Sequence, residues 1–339
     1  MNFTDYLKLI IKRQDLSEDQ MSNMISDIFS GTITDAQIGA FMGALAAKGE
    51  TFEELAGAAR AMRAKAVRIQ TVSNKAIDTC GTGGDLSGSF NISTTTAFVV
   101  AGCGVTVAKH GNRSISSKCG SADVLEALGV NINTQPEVVE EAVNGIGIGF
   151  LFAPTFHSAM RYAAKARKEV GIRSIFNMLG PLTNPAAARC QLMGVFAPEL
   201  TEMFARALKL LGAHHAFVVH GHDGLDEISI CAPTRISELK DGIIRSYDLD
   251  PVEFFGEYAD PSEIKGGDST FNAAITTAIL NGEKGGKRNI VLINSAAALV
   301  AADAAYNLND GMKKSAESID SGKAMEKLKQ LVKFTQENG

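Results

Sequence analysis

The chain has 339 residues, 45% hydrophobic and 21% charged, enough for one large domain or two unequal ones and unlike a disordered or fibrous chain. Its 33 basic and 38 acidic residues leave a formal net charge of -5 with no long run of either sign, so no nucleic-acid partner is expected. Met1 to Arg13 lacks the apolar core of a signal peptide, no charge-free stretch approaches membrane-spanning length, and the five cysteines form no Cys-x-x-Cys pair. The expectation is a cytoplasmic, reduced protein with no membrane partner.

From Phe3 to about Arg68 the apolar residues recur at helical spacing, as in Met21, Met24, Ile25, Ile28 and again in Ile38, Phe41, Met42, Leu45. Thr34 before Asp35 and Gln37, and Thr51 before Glu53 and Glu54, read as helix caps with first turns that suit the dipole. After Gln70 short apolar runs alternate with glycine-rich turns and helices. Ala76 to Cys80, Val105 to Ala108, Ala216 to Val219 and Asn289 to Ile293 are predicted as buried strands. The predicted fold is a small all-helical N-terminal domain, residues 1–72, and a large α/β domain with a mostly parallel central sheet, residues 73–339.

The chemistry sits in loops that follow these strands. Asp78-Thr79-Cys80-Gly81-Thr82-Gly83-Gly84-Asp85 reads as a tight turn or as a cradle in which backbone N–H groups converge on phosphate. It has neither the dinucleotide nor the Walker spacing. Ser89-Phe90-Asn91-Ile92-Ser93-Thr94 then offers hydroxyls and an amide at a helix start, where they cap the helix or bind phosphate and a metal-bound oxygen. Two such loops in tandem favour phosphate.

Lys109-His110-Gly111-Asn112-Arg113-Ser114-Ile115-Ser116-Ser117-Lys118-Cys119-Gly120-Ser121 packs three cations, a histidine, an amide and four hydroxyls into one loop. A mobile lid over an anionic substrate suits that density better than a solvated turn. In His220-Gly221-His222-Asp223-Gly224-Leu225-Asp226-Glu227 the histidines lack a zinc register. Asp226 and Glu227 instead supply hard oxygens suited to magnesium, or are simply exposed acids at a strand end. Arg167 lies on an amphipathic helix, Ser158 to Val170, among Arg161, Lys165 and Lys168, and spacing alone does not single it out.

Together these segments resemble the anthranilate phosphoribosyltransferase family. The resemblance is carried by Gly81-Thr82-Gly83-Gly84-Asp85, Asn91-Ile92-Ser93-Thr94, Lys109-His110-Gly111-Asn112-Arg113-Ser114, Arg167 with Gly171-Ile172-Arg173, Asn177 to Pro185, and Gly224-Leu225-Asp226-Glu227, in family order over nearly the full length. It implies a helical domain to which helices from about residues 158–188 return, an active site in the cleft between domains, and a homodimer built through the small domain.

The implied substrates are phosphoribosyl pyrophosphate and anthranilate. The resemblance implies donor contacts from Gly81, Gly84, Asp85, Ser89, Asn91, Ile92, Ser93, Thr94 and Lys109, and from the lid through Gly111, Arg113, Ser114, Ile115, Ser116, Ser117 and Ser121. Ser93, Asp226 and Glu227 would serve Mg2+, Asn112 and Arg167 would bind anthranilate, and Lys109 and His110 would act in catalysis. A pyrimidine nucleoside phosphorylase of related architecture and a non-catalytic sensor of the donor are the competing readings.

Overall fold

The computed structural model describes residues 1–85, 87–114 and 119–339. The first four helices, Phe3–Ile11, Glu18–Phe29, Asp35–Lys48 and Phe52–Lys65, each start on a reciprocal cap: Asn2 with Asp5, Ser17 with Gln20, Thr34 with Gln37 and Thr51 with Glu54. Each cap satisfies N–H groups that the first turn cannot pair, so the helices begin where polar residues precede apolar periodicity. The predicted apolar positions, Met21 to Ile28 and Ile38 to Leu45, share one buried core.

The Phe52–Lys65 helix also brings in a buried carboxylate. Glu54 accepts from the Leu16 and Thr51 N–H groups, both at 2.9 Å, and pairs with Lys48 at 3.0 Å. One side chain thereby fastens the loops on either side of the second and third helices.

Seven strands form one sheet: β1 Ile77–Gly81, β2 Val107–Gly111, β3 Ile148–Phe152, β4 Cys190–Gly194, β5 His215–Gly221, β6 Thr234–Lys240 and β7 Ile243–Leu249. Their order is β3-β2-β1-β4-β5-β6-β7, parallel from β3 to β5 and antiparallel at β6 and β7. Alternate residues face opposite sides. Cys190, Leu192, Phe217 and Val219 pack with the Ile92–Gly102 and Gly286–Ala301 helices. Met193, Ala216 and Val218 pack instead with the Leu200–Leu210 helix and join the core of the helical bundle. The Arg161–Val170 helix, preceded by a single 3-10 turn at Ser158–Met160, lies on the Asp35–Lys48 and Glu18–Phe29 helices through Ala163 and Ala166.

One predicted strand is wrong. Asn289 to Ile293 lies inside the helix Gly286–Ala301. A five-residue apolar run has no decisive period, and this one continues into Ser295-Ala296-Ala297-Ala298, which favours a helix buried on all sides. Among the described residues no helix is long and apolar enough to cross a membrane.

Replacing Glu54 with Leu removes the acceptor from two buried N–H groups and from Lys48. We expect a loss of about 3 kcal/mol in urea unfolding. A loss below about 1 kcal/mol would show that the loops hold without it.

Candidate active site

Strand order reverses between β1 and β4, so their connections diverge and leave a crevice beyond the carboxyl ends. The glycine loop begins there, at the end of β1. Gly83 and Gly84 have φ of 64° and 78°, a conformation side chains rarely adopt. A Cβ on Gly81 would lie 2.6 Å from Asp226 Oδ2, and one on Gly84 2.7 Å from Arg173 Nη2. Positive φ favours glycine at 83 and 84, and at 81 an added Cβ would displace the Asp226 carboxylate.

Asp226 and Glu227 follow β5 and reach two different loops. Asp226 Oδ2 accepts from the Gly83 N–H at 3.0 Å, and Glu227 Oε1 from the Ser93 N–H at 3.1 Å. Burial, then the nearby Asp85 carboxylate, pushes Asp226 up to about 7. Glu227 is pushed well up by burial and by Asp226, with Lys109 opposing. Three acids, Asp85, Asp226 and Glu227, thus gather around Lys109 and can all ionise only with further positive charge beside them. A hard divalent cation fits that donor set, and among the described residues no three His, Cys, Asp or Glu enclose a metal alone. Magnesium suits such an open arrangement, because it takes one or two carboxylates and fills its shell with water and substrate oxygens.

Lys109 and His110 are not lid residues. Both belong to β2 and are buried, because the strand runs on past its apolar start and finds internal polar partners. Lys109 Nζ donates to the Thr79 carbonyl and to Ser93 Oγ, the latter at 3.4 Å, and so lies beneath the crevice. Burial lowers its pKa, with Asp78 opposing. The His110 N–H donates to Asp78 Oδ1 at 3.0 Å, and Asn184 Nδ2 donates to Asp78 Oδ2 at 2.7 Å.

His110 Nδ1–H donates to the Gly180 carbonyl at 3.1 Å. Among the described residues its Nε2 is buried without a partner, and the ring stands edge-on to His157 at 5.0 Å. Burial and then His157 push His110 down to about 3, and burial pushes His157 down to about 4. Both rings are neutral near physiological pH.

Gly81, Gly84, Asp85, Ser89, Asn91 and Ser93 are exposed or half-buried along these loops. Ile92 and Thr94 have buried side chains, and Thr94 Oγ1 is without a partner among the described residues. Ile92 offers the site only its main chain. Gly111 closes β2, and a Cβ there would lie 2.2 Å from Ser121 Oγ, which donates to the Asn112 carbonyl at 3.2 Å. Asn112 Oδ1 accepts from the Arg113 N–H at 2.8 Å. The Arg113 guanidinium is paired with Asp123 at 2.9 Å and Glu126 at 2.8 Å, and the Ser114 N–H donates to Asp123 at 3.2 Å. Ile115, Ser116 and Ser117 lie outside the described residues.

Arg167, in the last turn of its helix, is half-buried over the Phe176 ring at 5.8 Å, and burial lowers its pKa. Among the described residues no carboxylate pairs with it. His220 is turned inward, donating to the Val195 carbonyl at 2.7 Å, while the exposed His222 lies 3.4 Å from Asp248, so the two histidines do not share a ligand.

Several residues at the site escaped the sequence reading. Arg173 lies over Phe196 at 3.7 Å and donates to the Gly84 carbonyl at 3.2 Å. Asn294 donates to the Ile228 carbonyl at 2.9 Å and accepts the Ile228 N–H at 3.0 Å, holding the chain just after Glu227. Arg173 lies in a segment that carries the family resemblance but marks no role for it, and Asn294 follows an apolar run that reads as a strand and folds as a helix. His157 and Asn272 carried no local signal.

Residues 4–66 match the glycosyl transferase family, helical bundle domain, and residues 73–325 the glycosyl transferase family, a/b domain. The anthranilate phosphoribosyltransferase of Desulfosudis oleivorans is 67% identical over 338 residues, 99% of this chain and 100% of that one. The one from Syntrophobacter fumaroxidans is 66% identical over 334 residues, 98% and 99% of the two chains. Among solved structures, anthranilate phosphoribosyltransferase from Thermus thermophilus superposes with a TM-score of 0.93 at 40% identity, covering 98% of this chain and 99% of its own. The Saccharomyces cerevisiae enzyme in complex with PRPP and Mg superposes with a TM-score of 0.90 at 27% identity, covering 99% and 98%. Identity of this degree over the whole length places the chain in the glycosyl transferase family, among the anthranilate phosphoribosyltransferases.

Proposed function

We propose that this chain transfers the phosphoribosyl group of 5-phosphoribosyl 1-pyrophosphate to the amine of anthranilate, as a magnesium-dependent, cytoplasmic homodimer joined through its helical unit. The reaction gives N-(5-phosphoribosyl)anthranilate and pyrophosphate, the second step from chorismate toward tryptophan. The observation that carries this reading is the adjacent pair Asp226 and Glu227, each accepting an N–H from a different phosphate-type loop. Full-length identity to the family sets aside a nucleoside phosphorylase or a non-catalytic sensor.

In this reading Gly81, Gly84, Asp85, Ser89, Asn91, Ser93 and Thr94 receive the donor, joined by Gly111, Arg113, Ser114, Ile115, Ser116, Ser117 and Ser121. Ser93, Asp226 and Glu227 would hold magnesium, which would supply positive charge against the departing pyrophosphate. Lys109 adds a fixed positive charge beneath the same crevice, and the loop amides are set before the reaction begins. As the bond from the anomeric carbon to pyrophosphate breaks, its electron pair leaves with the phosphate oxygen, and the amine nitrogen bonds to the carbon.

Arg167 and Asn112 seat anthranilate, with the guanidinium on its carboxylate and Phe176 fixing the guanidinium plane. His110, neutral and anchored on Gly180, offers Nε2 as an acceptor for an amine N–H and orients the nucleophile. The proton of an aryl amine is readily lost once nitrogen has bonded to carbon, so orientation matters more than strong basicity.

Fluorescent product formed from anthranilate and the donor tests the reading directly, and phosphate-dependent cleavage of thymidine or uridine would reverse it. Arg167→Ala should raise the anthranilate KM roughly tenfold to a hundredfold, the range of one or more charge-assisted hydrogen bonds, and leave the donor KM within about twofold. Equal rises in both constants would refute the assignment. Asp226→Ala combined with Glu227→Ala should abolish the steep dependence of rate on magnesium; survival of that dependence would make the pair structural.

His110→Ala should lower kcat less than about tenfold, whereas a loss of about 100-fold or more would restore a base role. The folded chain binds a proton on His110 only near pH 3, but an unfolded histidine binds one near about 6.5. The unfolded state then holds more protons between those values, so His110 lowers stability as pH falls through that window. His110→Asn should therefore lose less thermal midpoint than the parent between about pH 7 and about pH 5. Parallel losses would contradict the buried neutral ring.

A further inference from the structure

Asn91 and the loop before it are held by a part of the chain far away in sequence. Residues 264–267 run alongside residues 88–90: the Gly266 N–H donates to the Gly88 carbonyl at 2.9 Å, the Phe90 N–H to the Ile264 carbonyl at 3.2 Å, and Ser89 and Lys265 form an antiparallel bridge. A Cβ on Gly266 would lie 2.6 Å from Phe90 Cα, so this strap lies directly on the loop. Just beyond the strap, in the helix Ser269–Leu280, stands Asn272, which is 1% exposed.

Both ends of the Asn272 amide are used. Its Oδ1 accepts the Gly267 N–H at 2.8 Å, and its Nδ2 donates to Asn91 Oδ1 at 3.0 Å. Asn91 Oδ1 accepts a second time, from Cys119 Sγ at 3.3 Å, and Asn91 Nδ2 donates to the Cys119 carbonyl at 3.3 Å.

Amide side chains can be turned end for end at little cost in shape, so the polarity of such a chain must come from groups that cannot turn. Here both ends are backbone. The Gly267 N–H is a donor only, which requires Oδ1 of Asn272 and directs its Nδ2 to Asn91. The Cys119 carbonyl is an acceptor only, which requires Nδ2 of Asn91. Every member is satisfied in one orientation, and reversing either amide sets donor against donor or acceptor against acceptor. With Oδ1 taking the Asn272 N–H and one N–H given to the Cys119 carbonyl, Asn91 has a single N–H left to offer, whichever of Asn91 Oδ1 and the Gly120 carbonyl takes the Cys119 S–H.

We propose that Asn272 is a positioning residue for the transfer reaction: it fixes the Asn91 amide so that Asn91 presents N–H, and not C=O, to the donor. Phosphate and pyrophosphate oxygens accept hydrogen bonds and do not give them, so the fixed polarity matches that ligand. The inference rests on the donor placement proposed above.

The test compares steady-state constants of the full-length enzyme with those of Asn272→Asp, which keeps an acceptor for Gly267 but cannot donate to Asn91. The donor KM should rise roughly tenfold, as expected for one misoriented hydrogen-bonding group, with the anthranilate KM within about twofold. Asn272→Ala, which removes both contacts, serves as a second variant should the aspartate fail to fold, and the same ratio of constants is read. Asn91→Ala is measured alone and combined with each. If Asn272 acts through Asn91, its variants add nothing to the donor KM in the Asn91→Ala background, although they still lower the thermal midpoint. A donor KM within about twofold of the parent in both Asn272 variants, or an undiminished rise in the Asn91→Ala background, overturns the proposal. If Asn91→Ala leaves the donor KM unchanged, the donor placement itself fails.

Discussion

Two carboxylates side by side at the end of β5 set the conditions for the rest of the molecule. Glu227 is buried and Asp226 half-buried near Asp85; lost hydration, and then repulsion of Asp226 by Asp85 and of Glu227 by Asp226, raise their proton affinity. Only N–H groups, a cation or protonation can offset that cost. The fold brings an N–H from each of two glycine- or hydroxyl-bearing loops, and Lys109 from β2. The unbalanced remainder is what a metal ion and an arriving donor would complete. Glycine at position 81 and the positive φ of Gly83 follow from the same requirement, since the chain must come within hydrogen-bonding distance of those oxygens.

Loops that bind a polyanion cannot rely on each other for rigidity, and here the stiffness comes from buried amides and acids behind them. Asn294 fixes the chain after Glu227, Asp78 joins β2 to Asn184, and Asn272 joins the strap to Asn91. Each is a side chain whose polar atoms are spent on main-chain groups or on one another. Such networks are worth building only when every member is satisfied, because a half-paired amide in the interior costs more than an apolar residue.

The segment from Gly171 to Asn184 connects the two sides of the crevice. Arg173 reaches the Gly84 carbonyl, Phe176 lies under Arg167, and the Gly180 carbonyl anchors His110. Its neighbour, the Arg161–Val170 helix, packs on the N-terminal bundle. The proposed acceptor seat and donor loops are thus linked by one short stretch of backbone, and the bundle core runs without a break into the face of the sheet.

Features whose physics is local are legible along the chain. Reciprocal caps at Thr34 and Thr51, helical periodicity to about residue 68, glycines where the chain must curl, and the alternation of apolar strands with helices all depend on residues a few positions apart. The sequence also carried the family, through motifs in order along the chain. It missed β3 and β4, short runs with no decisive period, and β6 and β7, whose polar edge residues break the apolar pattern, and it misread Asn289 to Ile293 because a fully buried segment shows no face.

Where the charges and amides end depends on packing between distant parts of the chain. Lys109 and His110 read as loop residues until β2 was seen to continue over Asp78 and beside Gly180. Arg113 is one loop cation among three along the chain, and only the fold sets Asp123 and Glu126 against it. Asn272 is separated from Asn91 by 181 positions, and nothing in its neighbourhood along the chain marks it. A hydrogen bond between distant residues is set by how layers pack, and packing is a property of the whole chain.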